Sequence, residues 1–205
     1  MALSLVSASV RCDAPQIYVY DPNTSGGVYG AIEINFLYDD NDKYQGAEIF
    51  ADLDVSDANW TALALNDAKC NGPVTDFKWH IHTKWSNLDS SSGFVGDCSL
   101  ANAGNHYDPD YACGPNSEHA AEDKCKLITP KYNCTPATYM TNPKACEKGD
   151  LSGKLGAVKN VDGAVQGYWV DPYFPDPSES TAKWNLMLHA VCGTNTPRFI
   201  CATSL

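Results

Sequence analysis

The run FKWHIHTKW at residues 77–85 constrains the fold of this 205-residue chain more than any other segment. Phe77, Trp79 and Ile81 share one parity, and Lys78, His80, His82 and Lys84 share the other. Successive side chains on a strand point to opposite faces, so this is a strand with one apolar face for a core. A fully buried face does not tolerate two lysines beside the histidines. His80 and His82 are therefore expected to project together and outward. The segment WNLMLHAV repeats the pattern, with Trp184, Leu186 and Leu188 on one face and Met187 and His189 on the other.

Further runs alternate or are rich in β-formers: Gln16 to Tyr20, Tyr29 to Tyr38, Ala47 to Leu53, Trp60 to Leu65, Asp76 to Lys84, Ala164 to Val170, Lys183 to Ala190 and Arg198 to Thr203. Turn residues punctuate them. They predict an all-β fold of eight antiparallel strands, a Greek-key β-sandwich or flattened barrel, with a long disulfide-bridged insertion at about residues 86–151. The length and 43% hydrophobic content suit a single domain over residues 1–205. Residues 1–11 have a short apolar character without a basic leading region, and are read as a flexible tail or a residual targeting segment. No stretch is long and apolar enough to span a membrane, and no basic stripe accompanies the net charge of −11, which argues against a nucleic-acid partner.

Nine cysteines without a CxxC pattern read as disulfides and place the chain in an oxidising, extracellular compartment. Sequons at Asn23, Asn59 and Asn133 agree with a secreted glycoprotein. Cys113, Cys125, Cys134 and Cys146 are expected to form two local bridges, by any of three connectivities, because a long loop without secondary structure needs another constraint. Cys12, Cys70 and Cys192 leave an odd number, so at least one is free or joins another chain.

Four of the five histidines have the makings of a ligand set. An HxH on a strand is a weak signal alone, being more often a solvated or hydrogen-bonded pair. With His106 on the polar loop GNHYDP and His189 on a second strand, the four nitrogens suit copper or zinc, and copper better if redox chemistry is involved.

The HIH, Gly104 to Pro109, Gly149 to Leu151, His189 and the closing Arg198 to Cys201 occur in an order that resembles the copper/zinc superoxide dismutase family. The likeness is dense from Phe77 onward and thin before it. It implies copper held by His80, His82, His106 and His189, superoxide as substrate, and Arg198 as the cation that attracts and orients the anion. His106 is then expected to leave copper on reduction and carry a proton to the peroxide product. By the same resemblance Cys98 pairs with Cys201.

Two departures from that family point to its copper-only branch, which includes secreted repeat proteins. Glu147 stands where a zinc-ligating histidine is expected, although Asp150 keeps the aspartate position. Glu147 is read as the carboxylate that orients His106 through its outer ring nitrogen. A minority reading places zinc on His106, His119, Glu147 and Asp150. Only eight residues separate His189 from Arg198, too few for the long charged loop of zinc-containing relatives, so the site is expected to be open. The net negative charge repels superoxide at long range, which leaves steering to local cations. The rival is a non-enzymatic copper-binding or matrix protein on the same scaffold. A monomer, or one domain of a longer repeat protein, is expected.

Overall fold

The computed structural model describes residues 13–205. The expected N-terminal tail and Cys12 lie outside the described residues.

Among these residues nine strands form two antiparallel sheets. One has the order β1-β2-β3-β7, from β1 (Gln16–Tyr20), β2 (Tyr29–Tyr38), β3 (Tyr44–Asp54) and β7 (Ala164–Asp171). The other has the order β5-β9-β8-β4-β6, from β4 (Asp76–His82), β5 (Ser92–Phe94), β6 (Val158–Lys159), β8 (Asn185–Ala190) and β9 (Arg198–Thr203). The sheets do not close into a barrel, and the arrangement is compatible with a β-sandwich.

Period-two patterning explains why they stack. Tyr18, Ile32, Ile34, Ile49, Leu53 and Val165 from the first sheet enter one apolar core with Phe77, Trp79, Ile81, Leu186, Leu188 and Ile200 from the second. Fully burying each aliphatic or phenyl side chain contributes about 1.5–3 kcal/mol. Trp79 of the second sheet meets Trp169 of the first at 4.8 Å, an aromatic contact between the sheets, while Phe77 stacks on Phe199 at 5.3 Å within the second.

One expected strand is a helix. Trp60–Asn66 forms α1, because the Asn59 side chain accepts a hydrogen bond from Ala62 N and Leu63 alone turns fully inward, while Leu65 stays exposed. An N-cap followed by good helix formers outweighs the two-residue alternation of WTALAL. The strands β5 and β6 escape sequence reading because three and two residues are too short to display a period.

The insertion is not devoid of secondary structure. It contains β5, the helical turns α2 (Leu100–Ala103), α3 (Asp123–Ile128) and α4 (Pro136–Thr141), and it runs into α5 (Leu151–Leu155). Cys113–Cys125 and Cys134–Cys146 are its two local bridges, and Cys98–Cys201 ties it to β9. Cys70 pairs with Cys192, which joins the turn after α1 to the β8–β9 connection and resolves two of the three odd cysteines. No described helix is long and apolar enough to cross a membrane.

Candidate metal centre

The outer face of the second sheet carries the histidines, and the insertion folds down onto it. Tyr107 N donates to Ile81 O at 2.9 Å, Ile81 N to Gly149 O at 2.9 Å, and Thr83 N to Asn105 O at 3.0 Å. Gly149 permits this approach, since a Cβ there would sit 2.6 Å from Ile81 O. His80 and His82 do point away from the core, as the alternation predicts. They are nevertheless buried, 6% and 0% exposed, because the loop covers them; only the exposed Lys78 and Lys84 ends of that face satisfy the expectation of an outward surface.

His80, His82, His106 and His189 place one ligand atom each within 4.8 Å of one another, and all four residues are buried. A metal–imidazole bond of ~2.0–2.1 Å puts opposite donors about 4.1 Å apart, so small adjustments complete a coordination sphere.

The outer hydrogen bonds assign the ring nitrogens. His82 Nδ1 lies 2.9 Å from Gly104 O and His189 Nδ1 lies 3.0 Å from Thr196 O, so each Nδ1 carries the proton donated to a carbonyl. Their Nε2 atoms are then two lone pairs facing each other at 3.4 Å. His106 donates from Nδ1 to Glu147 Oε2 at 2.6 Å, leaving its buried Nε2 without a partner. His80 Nε2 faces Asp150 Oδ1 at 3.5 Å, and its buried Nδ1 is likewise unpartnered. Four lone pairs thus converge where no protein donor meets them, the arrangement a cation resolves.

Electrostatics agree. Burial, followed by the charge of His106, presses the His80 pKa down to about 4. Burial and neighbouring imidazoles hold His82 and His189 well below the usual histidine range. These rings are neutral near pH 7, the form that ligates metal.

Two carboxylates, Glu147 and Asp150, face the outer sides of His106 and His80. Burial pushes the Glu147 carboxyl up, partly opposed by its hydrogen bond to His106. For Asp150 burial also pushes upward, but the His80 contact and the hydrogen bond from Gly153 N outweigh it and hold the carboxyl well below the usual range. Sequence reasoning missed Tyr132, which donates to Asp150 Oδ2 at 2.8 Å and accepts from Glu147 N at 3.2 Å, linking the two acids. It also missed Gly104, whose carbonyl serves both His82 and Arg198; the glycine in GNH was its only trace.

Arg198 donates to Cys98 O at 2.9 Å and to Gly104 O at 2.8 Å. Burial lowers its pKa to about 10, so it remains a cation at neutral pH. It lines an open cleft of about 570 Å³ together with Lys78, His80, His106, Glu147, Asp150 and His189.

His119 does not join the site. It stacks on Tyr111 at 4.0 Å and bonds Glu122 through Nδ1 at 2.7 Å, while the His106 nitrogen facing Glu147 is already committed. Among the described residues the four-imidazole set is the one metal-capable cluster, and it excludes His119.

The chain matches no known family model, and no curated protein is significantly similar to it.

Proposed function

We propose that this protein is a secreted, copper-only superoxide dismutase, related to the copper/zinc superoxide dismutase family through the zinc-lacking branch and built as a Greek-key sandwich. The observation that carries this reading is the convergence of four imidazole lone pairs, each fixed by a hydrogen bond or a facing carboxylate on the other side of its ring, beside a half-buried arginine. The nitrogen-only donor set suits copper. The motif order and the Cys98–Cys201 bridge support the family assignment, and four disulfides without a membrane-spanning helix are consistent with secretion.

Bound copper would supply one-electron exchange, so that two superoxide ions and two protons become oxygen and hydrogen peroxide. The chain's own residues do the rest. Arg198 uses two N–H groups on Cys98 O and Gly104 O, which aims the remaining donors of its guanidinium at the cleft. A small anion is thereby drawn in and oriented. His106 keeps its Nδ1 proton on Glu147, so Nε2 is the atom that alternates between lone pair and N–H. The Glu147 carboxylate offsets the charge of the ring when both nitrogens are protonated. His82 and His189, locked on carbonyls, stay fixed.

The test is metal content after loading with copper and zinc together, combined with superoxide consumption per bound copper by pulse radiolysis. One copper, no zinc and turnover near the diffusion limit support the proposal. Stoichiometric zinc would restore the two-metal reading, and bound copper with negligible turnover would favour the non-enzymatic copper-binding protein.

A further inference from the structure

His189 has a cation on either side of it in the sheet. The register pairs His189 of β8 with Arg198 of β9 on one side and with Lys78 of β4 on the other. The row Arg198, His189, Lys78 therefore crosses three adjacent strands, and the shift in register between Leu188 and His189 is what brings Arg198 into it. Lys78 lies on the same face of β4 as His80 and His82, two residues before the first ligand, and it lines the same cleft.

Among the described residues Lys78 is one of the lysines that keep their charge free of a carboxylate partner, and of those it is the one that lines the cleft. Lys126, Lys144, Lys148, Lys154 and Lys159 each pair with a carboxylate. Lys78 is exposed and has no carboxylate within ion-pair distance among the described residues. The acids nearest the cleft floor, Glu147 and Asp150, face His106 and His80 instead. With strands ~4.7–4.9 Å apart, Lys78 and Arg198 leave the sheet about 10 Å from each other. That span brackets a small anion beside His189.

We infer that Lys78 and Arg198 form a two-cation port for small anions, with Lys78 as the outer, solvent-exposed arm and Arg198 as the inner, hydrogen-bonded one. In a chain of net charge −11 this row supplies local attraction that the overall field opposes. Arg198 is fixed by two carbonyls and orients. Lys78 is mobile on its four-carbon stem and captures. The inference rests on the copper reading for its substrate, superoxide, but its charge argument holds for any small anion drawn to the centre.

The experiment compares copper-loaded wild type with Lys78→Gln and Lys78→Glu, using azide as probe and the Cu(II) charge-transfer band as readout, alongside superoxide consumption. At about 10 mM salt, where the screening length is ~30 Å, each unit of charge removed should weaken azide binding and slow superoxide capture about twofold, hence about fourfold for Lys78→Glu. At about 1 M salt, with screening over ~3 Å, the three proteins should converge. Equal azide affinity and equal rates at low salt would overturn the port. If azide affinity follows charge but wild type consumes no superoxide, the port stands and the dismutase reading falls. If wild type turns over rapidly and neither readout responds to Lys78, the reverse holds. Failure of wild type to take up copper removes both.

Discussion

Replacing Glu147 with Gln isolates the charge behind His106 while preserving shape. In the wild type the carboxylate accepts the His106 Nδ1 proton at 2.6 Å from a site only 1% exposed. Gln still offers an acceptor, but a charge-assisted bond of ~1.5–3 kcal/mol becomes a neutral one of ~1 kcal/mol. The loss of about 0.5–2 kcal/mol corresponds to about 2–30-fold weaker copper binding, at ~1.4 kcal/mol per tenfold. Competition with a chelator of known affinity measures this directly. Metal-free stability should move the other way. Burial raises the Glu147 carboxyl above its ordinary 4.5, so the folded chain keeps that proton to higher pH than the unfolded chain does. The metal-free wild type therefore loses stability as pH climbs from about 4.5 through the raised value, and the Gln variant does not. Copper affinity unchanged from wild type, or a metal-free variant less stable than wild type at neutral pH, would refute the assignment of Glu147 as the charged support of His106.

Other perturbations probe separate parts of the site. Arg198→Ala should retain copper yet lower superoxide turnover and flatten its salt dependence in pulse radiolysis; unchanged kinetics would remove Arg198 from the mechanism. Gly104→Ala adds a Cβ 2.9 Å from that of Lys84 at a φ of +73° and ψ of −158°, backbone that glycine alone adopts readily, costing roughly 1–3 kcal/mol in strain. Since the same carbonyl serves His82 and Arg198, both copper affinity and turnover should fall in this variant, and a change in only one would show that the carbonyl does not couple them. Cys98→Ser opens a bridge between residues 103 apart in sequence, for an expected loss of about 2–5 kcal/mol in denaturant unfolding. It also loosens the carbonyl that holds Arg198, so turnover per copper should drop at temperatures where the variant is still folded.

The site was legible in the chain to the extent that strand parity carries it. His80 with His82, and His189 opposite Leu188, follow from period two alone, and the structure places all three on the sheet face away from the core. His106 and Glu147 had no periodic signal, and only motif order pointed to them; their 2.6 Å contact joins residues 41 apart. The partners that set the tautomers were invisible because two are backbone carbonyls, Gly104 and Thr196, which any residue type possesses. Local signals also competed. Alternation at Trp60 to Leu65 suggested a strand, but the Asn59 cap makes a helix there. Trp60 still reaches the core, stacking on Phe199 at 5.2 Å.

By itself, then, the amino-acid sequence determined the β character, the apolar face of each long strand, the outward parity of three histidines and the presence of enough cysteine to crosslink a long insertion. These are properties of neighbours along the chain, set by backbone geometry and side-chain partition. Tertiary structure decided that the histidine face is buried under the insertion, that Cys70 meets Cys192, that His119 turns toward Glu122, and that Lys78 and Arg198 flank His189. Each depends on which distant segments come to lie side by side. Strand register and loop packing choose those neighbours by the burial and hydrogen bonding of the whole chain, a balance that no local window contains.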